Sequence, residues 1–85
     1  MDQAPFVLYT KAGCPWCMDA VEWLQARGYE FQEIDVRRDP SKLTELRQVS
    51  GQTMAPTLKV GDKVLPDFDT RQLERFLKEN GFAKN

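Results

Sequence analysis

The sequence predicts an α/β fold built in the order β-α-β-α-β-β-α around a four-stranded mixed sheet. Three observations carry this. The apolar, partly β-branched run Phe6-Val7-Leu8-Tyr9-Thr10 is followed by a helix-period segment that stops at Gly28, and then by a second alternating run. A helix between two strands implies a right-handed parallel crossover. Further on, Thr57-Leu58-Lys59-Val60 and Lys63-Val64-Leu65 flank Gly61-Asp62, the pattern of an antiparallel hairpin. With 85 residues, 41% of them hydrophobic, the chain is expected to form one domain, residues 1–85, with a modest core.

Taken in order, residues 5–10 read as the first strand. Pro5 suits its start because a missing N–H is harmless there. Lys11-Ala12-Gly13 make a turn, and Pro15 suits a first helical turn whose N–H groups are unpaired anyway. Ala20, Val21, Trp23 and Leu24 fill the apolar face of a helix that runs to about Arg27, with Gly28 just past its end. Tyr29, Phe31, Ile34 and Val36 alternate loosely and predict a strand over residues 29–36. Asp39-Pro40-Ser41 opens a second helix capped by Asp39 or Ser41, with Leu43, Leu46 and Val49 as its buried stripe and Gly51 as its stop. After the hairpin, residues 67–70 lead into a last helix that turns Leu73, Phe76 and Leu77 inward. Asn80-Gly81 closes it, and the tail after Phe82 is expected to be loose.

The chemistry concentrates in Cys14-Pro15-Trp16-Cys17, which holds both cysteines of the chain. The pair lies where a strand hands over to a helix, with Cys14 at the helix N-terminus. Unpaired N–H groups and the helix dipole favour an anion there, so the location promotes a thiolate, and Lys11 adds a positive charge nearby. Cys17 sits one turn further on the same face, within disulfide reach. An attacking sulfur with a second sulfur behind it is what thiol–disulfide exchange requires. Other readings fare worse. A structural zinc site needs four ligands, and the chain has two cysteines and no histidine. A stapling disulfide over so short a loop constrains little of the unfolded chain. The plain alternative is two unrelated buried thiols.

Composition narrows the partners. A net charge of −1 without a basic stretch argues against nucleic acid. No segment reaches the ~20 apolar residues that a membrane-spanning helix needs. Residues 1–5 show neither a charged n-region nor an apolar h-region, so a cytoplasmic location is expected. In a reducing cytosol a lone Cys-x-x-Cys points to catalysis.

The element order is that of the thioredoxin fold in its short form, and over nearly its whole length the sequence resembles a glutaredoxin. The residues that carry the resemblance are Thr10-Lys11-Ala12-Gly13-Cys14-Pro15-Trp16-Cys17, then Gly51-Gln52-Thr53-Met54-Ala55-Pro56-Thr57, and the hairpin from Val60 to Asp69 with its exit. The resemblance implies that Cys14 is the nucleophile and Cys17 the resolving thiol. It implies that Lys11 supports the thiolate and pairs with the glycine carboxylate of glutathione. Trp16 stands where the family often has tyrosine and can pack beside the bound tripeptide. Ala55-Pro56 matches the family's Val-Pro, whose proline is cis and faces the active site; the backbone before it is then free to pair with the cysteinyl backbone of a substrate.

Two departures stand out. Met54 replaces the usual threonine, and Pro66-Asp67 replaces the usual Gly-Gly before the last helix. Phe68, Asp69 and Thr70 still offer backbone N–H groups and polar side chains for the γ-glutamyl end of glutathione, although Asp69 also reads as a simple helix cap. Gln52 matches a polar family position and is a further candidate contact.

The resemblance therefore implies a monomeric, glutathione-dependent thiol–disulfide oxidoreductase. It would reduce protein disulfides and glutathionyl mixed disulfides, with glutathione as reductant and no bound metal. Two alternatives follow from the family. One is a redoxin recycled by thioredoxin reductase, which the two departures keep open. The other is a carrier of a glutathione-ligated [2Fe–2S] cluster, against which Pro15 and Cys17 argue.

Overall fold

The computed structural model describes residues 5–83. Seven elements follow one another: β1 (Phe6–Thr10), α1 (Pro15–Ala26), β2 (Gln32–Asp35), α2 (Pro40–Ser50), β3 (Thr57–Val60), β4 (Lys63–Pro66) and α3 (Thr70–Glu79). They form a thioredoxin-like fold whose sheet runs β2-β1-β3-β4. β1 is parallel to β2, as a helical crossover requires, and antiparallel to β3, which pairs in turn with β4 across the Gly61-Asp62 turn.

Side-chain alternation along β1 divides the interior in two. Phe6 and Leu8 face a core shared with Leu58 and Val60 of β3, Ala20 and Leu24 of α1, and Leu73 and Leu77 of α3. Tyr9 points the other way, into a smaller cluster with Val36 and Leu46 that α2 covers. α1 and α3 thus lie on one face of the sheet and α2 on the other.

β2 is shorter than the alternation predicts. It occupies Gln32–Asp35, and Tyr29 lies outside it. The cause is the end of α1. Tyr29 N–H donates to the Leu24 carbonyl over 3.0 Å and Gly28 N–H to that of Gln25 over 3.1 Å, with Gly28 at φ +79°. This is a Schellman ending, and it folds Tyr29 back onto the core before the strand can begin. The same device closes α3, where Phe82 N–H reaches the Leu77 carbonyl at 2.8 Å and Gly81 N–H that of Lys78 at 3.3 Å. The two aromatics so delivered meet on Phe6. Tyr29 stacks on it at 5.3 Å between centroids, Phe82 meets it edge-on at 6.1 Å, and the Tyr29 hydroxyl donates to the Phe82 carbonyl.

Smaller adjustments have equally local reasons. Asp39, not Ser41, caps α2, accepting both the backbone N–H and the hydroxyl of Ser41. Pro66 joins β4 as an edge residue opposite Thr57, where its missing N–H is tolerated. Phe76 is half-buried while Leu73 and Leu77 are fully buried. Of the tail expected to be loose, Ala83 is exposed, and residues 84–85 lie outside the described residues. So do residues 1–4, on which the reading of the N-terminus fell.

One row of paired residues, Ile34, Tyr9, Thr57 and Pro66, crosses the whole sheet. The end of β1, the end of β2, the start of β3 and the end of β4 therefore share one edge. Every loop bearing a candidate site residue starts or finishes there.

Candidate active site

The turn after β1 brings the cysteines to this edge. Cys14 N–H donates to the Lys11 carbonyl over 3.2 Å, which closes the turn and leaves Cys14 as the N-cap of α1 with Pro15 first in the helix. As a cap, its side chain accepts the helix's open N-terminus: the Cys17 amide donates to Cys14 Sγ at 3.2 Å. Cys14 is half-buried and Cys17 is 3% exposed, and both are free thiols. Burial, followed by the hydrogen bond with Cys14, pushes the Cys17 thiol up to about 12, and the negative charge of Glu33 adds to the same effect.

The loop before β3 supplies the opposite wall. The Ala55–Pro56 peptide is cis, and the Ala55 carbonyl oxygen lies 3.9 Å from Cys14 Sγ. Ala55 N–H has no acceptor among the described residues. Trp16 is 58% exposed and Met54 52%, so the loop and the helix start both carry an apolar side chain in solvent.

Lys11 stands between two depressions of opposite charge. On one side a cavity of about 360 Å³ includes Thr10, Cys17, Glu22, Glu33 and Asp35 in its wall. The buried Thr10 hydroxyl donates to Glu33 Oε2 at 3.1 Å there. On the other side a groove of about 370 Å³ is lined by Lys11, Arg37, Arg47 and Thr53 over Val36 and Leu43. Arg37 is tied to the cysteine turn by a 2.9 Å hydrogen bond from Nη1 to the Ala12 carbonyl. Sequence reasoning missed Arg37, Arg47 and Thr53. A signal for Arg37 existed: it follows β2, and the loops at the carboxyl ends of neighbouring parallel strands are where ligands of open α/β sheets bind.

The glutaredoxin family model matches residues 6–65, well over half of the chain and both cysteines. This chain belongs to the glutaredoxin family. It is 40% identical over 58 residues to a glutaredoxin of Pseudomonas aeruginosa, covering 68% of this chain and 69% of that one. A glutaredoxin of Archaeoglobus fulgidus superposes with a TM-score of 0.78 over 88% of this chain and 87% of its own, at 21% identity, which attests the fold. The NrdH-redoxin of Escherichia coli, a glutaredoxin-like protein with a thioredoxin-like activity profile, superposes with a TM-score of 0.72 at 27% identity over 84% of this chain and 92% of its own. As a member of this family the chain is a thiol–disulfide oxidoreductase.

The residues expected at a glutaredoxin site fall into four settings. Cys14, Cys17, Lys11, Trp16, Ala55 and Pro56 lie together at this edge of the sheet. Asp69 and Thr70 reach the same edge at the start of α3, but Asp69 is engaged in a capping box. Its carboxylate accepts Gln72 N–H and the Gln72 side chain accepts Asp69 N–H, both at 2.9 Å. Phe68 points into the core at 1% exposure, so only its backbone can meet a ligand. Gln52 has its amide bonded within the chain, to Ser50, Thr57 and Met54. The unusual Pro66-Asp67 pair keeps a glycine-like path, since Asp67 takes the left-handed conformation at φ +49°. Among the described residues no group of three or more His, Cys, Asp or Glu side chains could hold a metal ion. No helix there is long and apolar enough to cross a membrane.

Proposed function

We propose that this member of the family is a glutathione-dependent enzyme that reduces glutathionyl mixed disulfides and protein disulfides. The observation that carries the reading is the cationic groove of Lys11, Arg37 and Arg47 beside the Cys14 turn. It offers the glycine carboxylate of glutathione charge-assisted hydrogen bonds of the strong kind. The open N–H of Ala55 and its carbonyl give the cysteinyl residue of the tripeptide a strand-like partner.

In the reaction, the Cys14 thiolate attacks the glutathione sulfur of a mixed disulfide. The Cys14–glutathione bond forms, the substrate sulfur leaves with the electron pair, and it takes a proton from water. A second glutathione thiolate then attacks the bound glutathione sulfur, so that oxidised glutathione departs and the Cys14 thiolate returns. With a protein disulfide, the Cys14 thiolate attacks one sulfur to form a mixed disulfide, and the other sulfur leaves with the electron pair. Cys17 gives its proton to that leaving thiolate and attacks Cys14 Sγ, breaking the Cys14–substrate bond, and the freed substrate sulfur takes a proton from water. This releases the substrate as a dithiol and leaves a Cys14–Cys17 disulfide for two glutathiones to reduce. The Cys17 amide, 3.2 Å from the Cys14 sulfur, is placed to donate to it throughout the cycle.

One observation favours a second reading, a redoxin recycled by thioredoxin reductase. Both the N–H and the carboxylate of Asp69 are taken by the capping box, which leaves the γ-glutamyl end of glutathione fewer partners. The similarity to the NrdH-redoxin points the same way. An NADPH-coupled assay run in parallel with glutathione plus glutathione reductase and with thioredoxin reductase separates the two. Turnover in the first arm, with a raised KM for glutathione in Arg37→Ala and Lys11→Ala, is expected. Turnover only in the second arm overturns the glutathione reading.

A further inference from the structure

The loop from Gly51 to Pro56 is held by side chains rather than by a backbone ladder. Both amide hydrogens of Gln52 are used, Nε2 donating to Ser50 Oγ at 2.8 Å and to Thr57 Oγ1 at 3.2 Å. Its Oε1 accepts the Met54 N–H. A backbone N–H can only donate, so this contact fixes which end of the amide faces which way. The Thr57 hydroxyl, fully buried, accepts from Gln52 and donates to the Met54 carbonyl at 2.9 Å. Ser50 ties the network to the last turn of α2 through the Leu46 carbonyl at 2.6 Å.

The result is that Met54 is gripped at both its N–H and its C=O. The Met54 carbonyl belongs to the same planar unit as the Ala55 N–H, and in a trans peptide the two point in opposite directions. Thr57 pulls the carbonyl inward, so the Ala55 N–H is turned outward. That N–H has no acceptor among the described residues, and the Ala55 carbonyl next to it lies 3.9 Å from Cys14 Sγ.

We infer that Gln52 and Thr57 form a clamp that aims the Ala55 backbone at incoming substrate, which makes Gln52 a positioning residue and not a ligand of glutathione. The inference rests on the proposed pairing of Ala55 with substrate backbone. It adds that the pairing geometry is set by two side chains that never touch the substrate. A buried hydroxyl and an amide facing inward are otherwise costly choices for a loop, and here each is repaid by holding one half of the same peptide.

The test compares Gln52→Leu, Thr57→Val and Thr57→Ser on a glutathionylated peptide with glutathione, alongside the rate of Cys14 alkylation by iodoacetamide. Each side chain makes one hydrogen bond to the Met54 backbone, so Gln52→Leu and Thr57→Val are expected to raise KM roughly three- to tenfold with kcat nearly unchanged. Thr57→Ser, which keeps the hydroxyl, should stay close to the parent enzyme. Alkylation of Cys14 should not change, because iodoacetamide is too small to use the Ala55 backbone. Unchanged KM in folded variants overturns the clamp, and so does a KM that shifts in step with the alkylation rate, the mark of a general distortion. Gln52, half-buried in a loop, decides the matter alone if Thr57→Val does not fold. If the parent enzyme turns over only with thioredoxin reductase, the glutathione reading falls. The same KM comparison is then made against the reductase, where variants equal to the parent overturn the clamp.

Discussion

The amide of Cys17 donates to the sulfur of Cys14 across 3.2 Å, so the second cysteine serves the first through its backbone while its own sulfur is withdrawn into the core. One residue spacing sets both facts. A side chain at the N-cap meets the amide three positions on, and the residue at that position lies on the inner face of the helix.

Labelling follows from this division. The Cys17 thiol, pushed up to about 12 mainly by burial, is protonated throughout the neutral range and covered as well. Iodoacetamide at mildly acidic pH should therefore modify Cys14 first, as read by peptide mass spectrometry. In Cys14→Ser, which removes the hydrogen bond and charge of Cys14 but leaves the burial, Cys17 should still be alkylated more slowly than Cys14 is in the parent protein. Preferential labelling of Cys17 in the parent protein would reverse the assigned roles.

The two sulfurs should also separate by substrate. Removing glutathione from a mixed disulfide needs one enzyme thiol, whereas releasing a protein trapped on Cys14 needs the second. Cys17→Ser is expected to keep deglutathionylation and lose most reduction of intramolecular protein disulfides, and Cys14→Ser to lose both. Steady-state turnover on a glutathionylated peptide is the comparison. A Cys17→Ser enzyme as inactive there as Cys14→Ser would sink the one-thiol route.

Asp69→Ala should cost stability. The capping box satisfies two amides at the start of α3, and losing an acidic N-cap costs about 0.5–2 kcal/mol. In a domain of this size each kcal/mol is roughly 4–8 °C of Tm. Thermal melts of Asp69→Ala and Asp69→Asn, the second keeping an acceptor, check it. Equal melting temperatures for all three proteins would mean that the cap contributes nothing.

Acid should weaken the α2 face. The Tyr9 hydroxyl is the first cause holding the Glu45 carboxyl below its ordinary 4.5, and Lys42 assists. A depressed carboxylate contributes stability that is fully present above pH 4.5 and is lost as pH falls through the lower folded value. Tyr9→Phe is accordingly expected to cost about 1 kcal/mol at pH 7, the worth of one hydrogen bond, and less near pH 3. Urea midpoints at the two pH values measure the difference. A cost independent of pH would point to packing instead.

Much of this could be read from residues alone, because the signals were local. Gly28, Gly51 and Gly81 end the three helices where their spacing predicts, and Gly61-Asp62 makes the hairpin turn. Cys14 caps a helix because a strand, a turn and Pro15 leave it no other place. What stayed hidden depends on distance through space. Tyr29 looks like a strand residue by alternation, yet the backbone of Leu24 recruits it. Gln52 looks like a polar site residue, and only the fold brings Thr57 within reach of its amide. Arg37 and Lys11 lie far apart in sequence, and the parallel pairing of β1 with β2 sets them in one groove.

The aromatic cluster on Phe6 has a bearing on how this molecule tolerates change. Phe6 and Thr10 are the two ends of β1, about 13 Å apart at ~3.3 Å per residue. One end is knotted by Tyr29, Phe82 and, through Tyr29, Trp23 with Arg27 over its ring; the other leads into the cysteine turn. Structural durability and sulfur chemistry are thus housed at opposite poles of a five-residue segment. At that separation substitutions combine almost independently. Evolution or a protein engineer can therefore toughen the knotted pole without retuning the thiols, and revise the thiols without loosening the knot.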